Sequence, residues 1–109
     1  SGTTISYISD TEHIPGKDDR NVLKLMQNAD LAIYDSMYTE DEFSQKQGWG
    51  HSTWQEGLRL AQMAKTKKLA FYHHNPAHTD DILFKIEREA QKQWEKCFVA
   101  YQGMKISFP

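Results

Sequence analysis

A single cysteine, Cys97, stands in this sequence, so no disulfide can form within the chain and a disulfide-stapled secreted domain is excluded. A lone thiol fits a reducing compartment, and the cytoplasm is the expected location. No apolar run approaches the ~18 to 20 residues of a membrane span, so no membrane partner is expected. No charge of one sign dominates either: 13 Lys and Arg face 15 Asp and Glu, a formal net charge of −2. Nucleic acid is therefore not indicated by any overall field. The local cluster Lys65, Lys67 and Lys68 falls at the end of a predicted helix, where cations offset the helix dipole. Internal repeats, low-complexity segments and linkers are all missing. What remains is 109 residues, 39% hydrophobic and 26% charged, which predicts one small soluble domain over residues 1–109 with a single modest core.

Strand and helix patterns alternate along the chain. Thr4 to Ser9 reads as a strand ending at Asp10, and the polar stretch 11–19, broken by Pro15 and Gly16, as a loop. Val22, Leu25, Met26 and Ala29 recur at helical spacing, giving a helix from Arg20 to Asn28 with Asp18 and Asp19 at its N-terminal turn. Leu31 to Tyr34 is a short continuous apolar run, typical of a strand buried on both faces, and it delivers Asp35 at its end. A short acidic helix follows around Thr39 to Phe43. Thr53 to Ala64 is the second main helix, capped by Ser52 or Thr53, with Trp54, Leu58, Leu60, Ala61 and Ala64 inward. It feeds the strand Leu69 to Tyr72, which ends at His73. Thr79 caps a long helix to about Lys96, and the tail, Phe98 to Tyr101 and Met104 to Phe108 around Gln102-Gly103, reads as a β-hairpin.

Three stretches place chemistry beside these strand ends and helix starts: Ser9-Asp10-Thr11, Gly48-Trp49-Gly50-His51-Ser52-Thr53 and His73-His74-Asn75-Pro76. Asp10 is either a plain turn residue or a carboxylate whose two oxygens bridge two metal ions about 3.5 to 4 Å apart. His73 and His74 are adjacent, so on an extended strand they point to opposite sides and at most one faces a given cleft. Either is a ligand for zinc or manganese or a hydrogen-bonded structural residue. His51 lies at the N-terminus of a helix, a place that attracts anions such as phosphate. Asp35 can orient its imidazole and support proton transfer, or serve as a turn cap with His51 merely exposed. His13 and His78 fall in loops and are expected in solvent.

The order Ser-Asp-Thr after a strand, Tyr-Asp-Ser after the next, Gly-His-Ser-Thr before a helix, then a strand ending in His resembles the C-terminal half of the metallo-β-lactamase superfamily. The branch it resembles holds the ribonuclease Z-like and cyclic phosphodiesterase-like hydrolases. The resemblance runs from Ile5 to Phe108. It implies an α/β fold, the C-terminal half of a four-layer αββα sandwich. It further implies two divalent metal ions, zinc or alternatively manganese, with Asp10 as the bridging ligand and His73, or in its place His74, as a ligand of the second metal. His51 is implied to contact the scissile phosphate or donate a proton to the leaving group, with Asp35 supporting it.

The superfamily's H-x-H-x-D-H cluster is missing from the sequence. A catalytic metal site normally has three protein ligands and an open position, so this chain by itself is expected to be inactive. The expected partner is the N-terminal half of the same fold, on the same gene product or a second chain, and the expected substrate a small phosphodiester or ester. A homodimer is the alternative way to cover the exposed sheet face, which Leu31, Ile33, Leu69 and Phe71 or their opposite neighbours would line. The competing function is a small signalling domain of receiver type, with Asp35 as phosphoacceptor, or a non-catalytic interaction domain. Asp10 and Glu12 make a poor acidic pair for that role, and Lys105 precedes its strand instead of ending it.

Overall fold

The computed structural model of the chain describes residues 3–8, 12–48, 50–72 and 78–100. Among these residues four strands, β1 (Ile5–Ile8), β2 (Leu31–Asp35), β3 (Leu69–Tyr72) and β4 (Cys97–Val99), lie side by side in chain order and pair in parallel throughout. Between them run α1 (Arg20–Met26), α2 (Glu40–Phe43), α3 (Trp54–Met63) and α4 (Asp80–Gln93). A parallel pair needs a crossover, and crossovers are right-handed. When the strands also advance in one direction, that handedness puts each crossover helix on the same side of the sheet.

Packing shows this one-sidedness. Ile8, Tyr34, Phe71 and Val99 stand in register across the sheet, as do Ser6, Ala32, Leu69 and Cys97. From these two rows the core takes Ile8, Ala32, Tyr34, Leu69, Phe71, Cys97 and Val99, and from the helices Val22, Met26, Trp54, Leu58, Leu60, Ala61 and Ala90. Each fully buried large apolar side chain among them contributes about 1.5–3 kcal/mol. Trp54 meets Phe71 edge-on at 6.1 Å. The opposite face carries Ile5, Tyr7, Leu31, Ile33, Ala70, Tyr72 and Phe98. Ile5 and Tyr7 are each 54% exposed and Tyr72 38%. Leu31 and Ile33 therefore do not share a face with Leu69 and Phe71, because the register sets Ile33 beside Ala70.

Caps account for the helix starts. Asp19 accepts the Asn21 and Val22 N–H groups at α1, Thr53 the Glu56 N–H at α3 and Thr79 the Ile82 N–H at α4. Thr39 and Glu42 form a reciprocal capping box at α2. Helix α1 stops at Met26, two residues short of the expected end, because Asn28 turns back with φ +55° and donates its N–H to the Ala64 carbonyl. Helix α4 likewise stops at Gln93, and Ile82 on it is 40% exposed. Phe98, expected in the first arm of a hairpin, belongs to a strand parallel to β3, and residues 101–109 lie outside the described residues.

The receiver reading requires a doubly wound sheet, whose strand order reverses and whose helices cover both faces. Among the described residues the strands run in unbroken chain order and the helices pack on one face, which contradicts it.

Candidate active site

The C-terminal ends of parallel strands gather functional groups, and here β2 ends at Asp35, whose side chain is fully buried. Its Oδ2 lies 2.8 Å from Nδ1 of His51, and its Oδ1 accepts the Met37 N–H at 3.3 Å. A carboxylate only accepts, so Nδ1 of His51 carries the hydrogen and Nε2 is the ring nitrogen that Asp35 does not engage. The His51 side chain is 19% exposed, enough to reach a ligand while its orientation is held. Tyr38 meets the ring edge-on at 6.1 Å. The Tyr38 hydroxyl titrates above its ordinary value, through burial first and then the nearby Asp35, Glu12 and Glu42 carboxylates.

The chain on the C-terminal side of His51 is stitched down. Tyr38 donates its N–H to the Ser52 carbonyl at 3.1 Å and accepts the Trp54 N–H at 3.4 Å, so the cap of α3 is tied to the segment after β2. Ser52, fully buried, places its hydroxyl 2.9 Å from the Tyr34 hydroxyl and 2.7 Å from Nδ1 of His13. Burial pushes the Tyr34 hydroxyl well above its ordinary range despite the Ser52 contact, so it stays protonated. The full burial of Ser52 rules it out as a nucleophile towards an external substrate.

Two histidines are not where loop position put them. His13 is 7% exposed, stacked on Phe43 at 4.3 Å as well as bonded to Ser52. His78 has a side chain 5% exposed and sets Nε2 at 2.9 and 3.0 Å from the two Glu42 oxygens. Both sit in solvent-type sequence contexts, but each meets a partner 30 or more residues away that local pattern does not disclose. Cys97 is buried, and burial pushes its thiol up to about 11, which makes it inert.

Of the residues singled out for chemistry, Asp35 and His51 are brought together. Asp10, His73 and His74 lie outside the described residues. Among the described residues no group of three or more His, Cys, Asp or Glu is disposed to hold a metal ion, so they do not by themselves fit one. No helix among them is long and apolar enough to cross a membrane.

Comparison with known proteins gives this arrangement a context. Ribonuclease Z of Lactiplantibacillus plantarum is 30% identical over 97 residues, covering 89% of this chain and 28% of that protein. Ribonuclease Z of Methanosarcina acetivorans is 31% identical over 108 residues, 99% of this chain and 33% of that protein. The chain thus spans roughly a third or less of the length of these relatives. Among solved structures, the short form of human tRNase Z superposes with a TM-score of 0.71 at 22% identity, over 99% of this chain and 34% of its own. The metallo-beta-lactamase fold protein YhfI of Bacillus subtilis superposes with a TM-score of 0.70 at 24% identity, over 94% of this chain and 39% of its own. Both superpositions establish the fold. A family model described as "Beta-lactamase superfamily domain" matches residues 1–74, from before β1 to just past the end of β3 and so across the Asp35–His51 pair. On that match the chain belongs to the β-lactamase superfamily, and the curated relatives it resembles at low identity are named ribonuclease Z.

Proposed function

We propose that the chain is the C-terminal portion of a binuclear metal-dependent hydrolase that cleaves phosphodiesters, in which His51 protonates the departing oxygen and Asp35 holds it in the donating orientation. The observation that carries this reading is the 2.8 Å contact between Asp35 and Nδ1 of His51, at the end of β2 and the start of α3. It commits Nδ1 to Asp35; in the proposed role Nε2 takes up a proton from solvent, the Asp35 carboxylate offsets the charge of the imidazolium, and Nε2–H then passes that proton to the departing oxygen. The one-sided sheet supports the structural part of the proposal. Its second face, largely apolar and exposed at Ile5, Tyr7 and Tyr72 though buried at Leu31 and Ala70, suits the inner face of half an αββα sandwich. The N-terminal half would supply the H-x-H-x-D-H ligands, and this chain Asp10 and His73, or His74 in its place. The part of the chemistry assigned to the described residues is proton transfer and positioning. Because the curated relatives are named ribonuclease Z, an RNA phosphodiester is the first substrate to try.

The test is His51→Ala in the chain coexpressed with an N-terminal half. Turnover on a diester with a basic alkoxide leaving group should fall by about 10²- to 10⁴-fold, and on an activated aryl diester far less, with metal content unchanged. Equal losses on both substrates would reassign His51 to phosphate binding, and loss of metal would make it a ligand.

A further inference from the structure

Residues 12 and 13 grip the segment that carries His51 at two places. The Glu12 carboxylate accepts the Gly48 N–H at 2.8 Å on each oxygen and the Gly50 N–H at 2.9 Å on Oε1. One residue on, His13 reaches Ser52. His51 therefore sits between two points of attachment that both come from the segment after β1.

The two attachments differ in kind. On the C-terminal side, Ser52 is held by a buried network and by backbone bonds to Tyr38. On the N-terminal side, Gly48 and Gly50 adopt φ of +90° and +84°, and their N–H groups converge on one carboxylate. Left-handed glycines that aim successive amides at one point make a concavity for an anion, which here comes from the chain itself. A Cβ at either position would meet open space, so what asks for glycine there is the positive φ and not a close neighbour. Charge-assisted hydrogen bonds are the stronger class, so losing Glu12 would free this side of the loop.

We infer that Glu12 is a positioning residue for His51: by fixing Gly48 and Gly50 it sets the backbone entering His51, so that the ring stays on Asp35 and presents Nε2. It also ties the loop of the proton donor to the segment after β1. The inference rests on the reading of His51 as the proton donor.

Glu12→Ala and Glu12→Gln, made in the chain as it stands, test it by nuclear magnetic resonance. Gln keeps one carbonyl acceptor, and so stands between wild type and Ala and provides a second variant if Ala does not fold. Amide exchange at Gly48 and Gly50 should quicken by about tenfold or more in the Ala variant and less in the Gln variant. The ¹⁵N signals of His51 should pass from the Nδ1–H tautomer toward an average of both. In the completed enzyme, kcat on the poor leaving group should fall with KM little changed. Faster exchange with unaltered His51 signals would reduce Glu12 to a loop staple and overturn the inference, as would unchanged exchange. If instead Glu12→Ala shifts the His51 ring while His51→Ala costs both leaving groups equally, the positioning stands and the proton-donor reading fails.

Discussion

Gly57 on α3 lies so close to Tyr34 on β2 that a Cβ at position 57 would stand 2.6 Å from Cδ2 of the ring. The ring cannot swing aside, since Tyr34 is 1% exposed and its hydroxyl is bonded to Ser52. A helix propensity scale favours Ala over Gly here by about 1 kcal/mol, but overpacking a rigid neighbour costs about 1–3 kcal/mol. Gly57→Ala should therefore lower the melting temperature. The same substitution on a Tyr34→Leu background should cost less, and equal costs on both backgrounds would show that the contact does not govern this position.

Asp35→Asn should reproduce a weaker version of His51→Ala. The amide keeps an oxygen for the ring but no longer enforces the Nδ1–H tautomer, and changes of this type typically cost about 10–100-fold. The loss should be confined to substrates with basic leaving groups, as steady-state rates on matched alkyl and aryl diesters would reveal. Metal content should be unchanged.

Glu42 predicts an acid dependence of stability. Burial acts to raise its carboxyl, but the Thr39 backbone N–H and the His78 ring outweigh burial and hold it below the ordinary value of 4.5. A depressed folded-state value means that the stabilisation is complete above the unfolded value and is lost as pH falls through the folded one. Melting temperature should thus decline below about pH 4.5 in part through this group, and Glu42→Gln should remove that part of the slope. An identical slope in the variant would mean that other carboxylates carry it.

The exposed sheet face predicts the behaviour of the isolated chain. With Ile5, Tyr7 and Tyr72 exposed on it beside the buried Leu31 and Ala70, the chain should self-associate or bind a hydrophobic dye, and a Tyr7→Lys variant should do so less. Sedimentation and dye fluorescence would decide. A monodisperse wild-type chain that binds no dye would mean that the face is covered, and would count against the half-sandwich.

The elements were legible because they obey local rules. Apolar spacing gave the interior of α3, and caps such as Asp19, Thr53 and Thr79 sit where side-chain oxygens meet bare N–H groups. The Asp35–His51 pair was legible for the same reason, since both residues stand at element ends that a parallel sheet brings together. What sequence could not disclose depends on register and distant partners. Leu31 and Leu69 look alike as strand-leading leucines, yet register sends them to opposite faces. His13 and His78 owe their burial to Phe43, Ser52 and Glu42, and nothing in the residues around them marks those contacts. Glu12 is one more acidic loop residue until two left-handed glycines some 36 and 38 positions later turn their amides onto it.

The strand order carries a consequence for how the chain comes together. β2, β3 and β4 each pair with the described strand before them in sequence, across separations of 26, 37 and 28 residues, and among the described strands none has to be inserted between two that already pair. Parallel pairing is slow to nucleate because each step must first close a long loop. With neighbours in sequence also neighbours in the sheet, those closures can proceed one at a time as the chain leaves the ribosome, and the growing edge is always the newest strand.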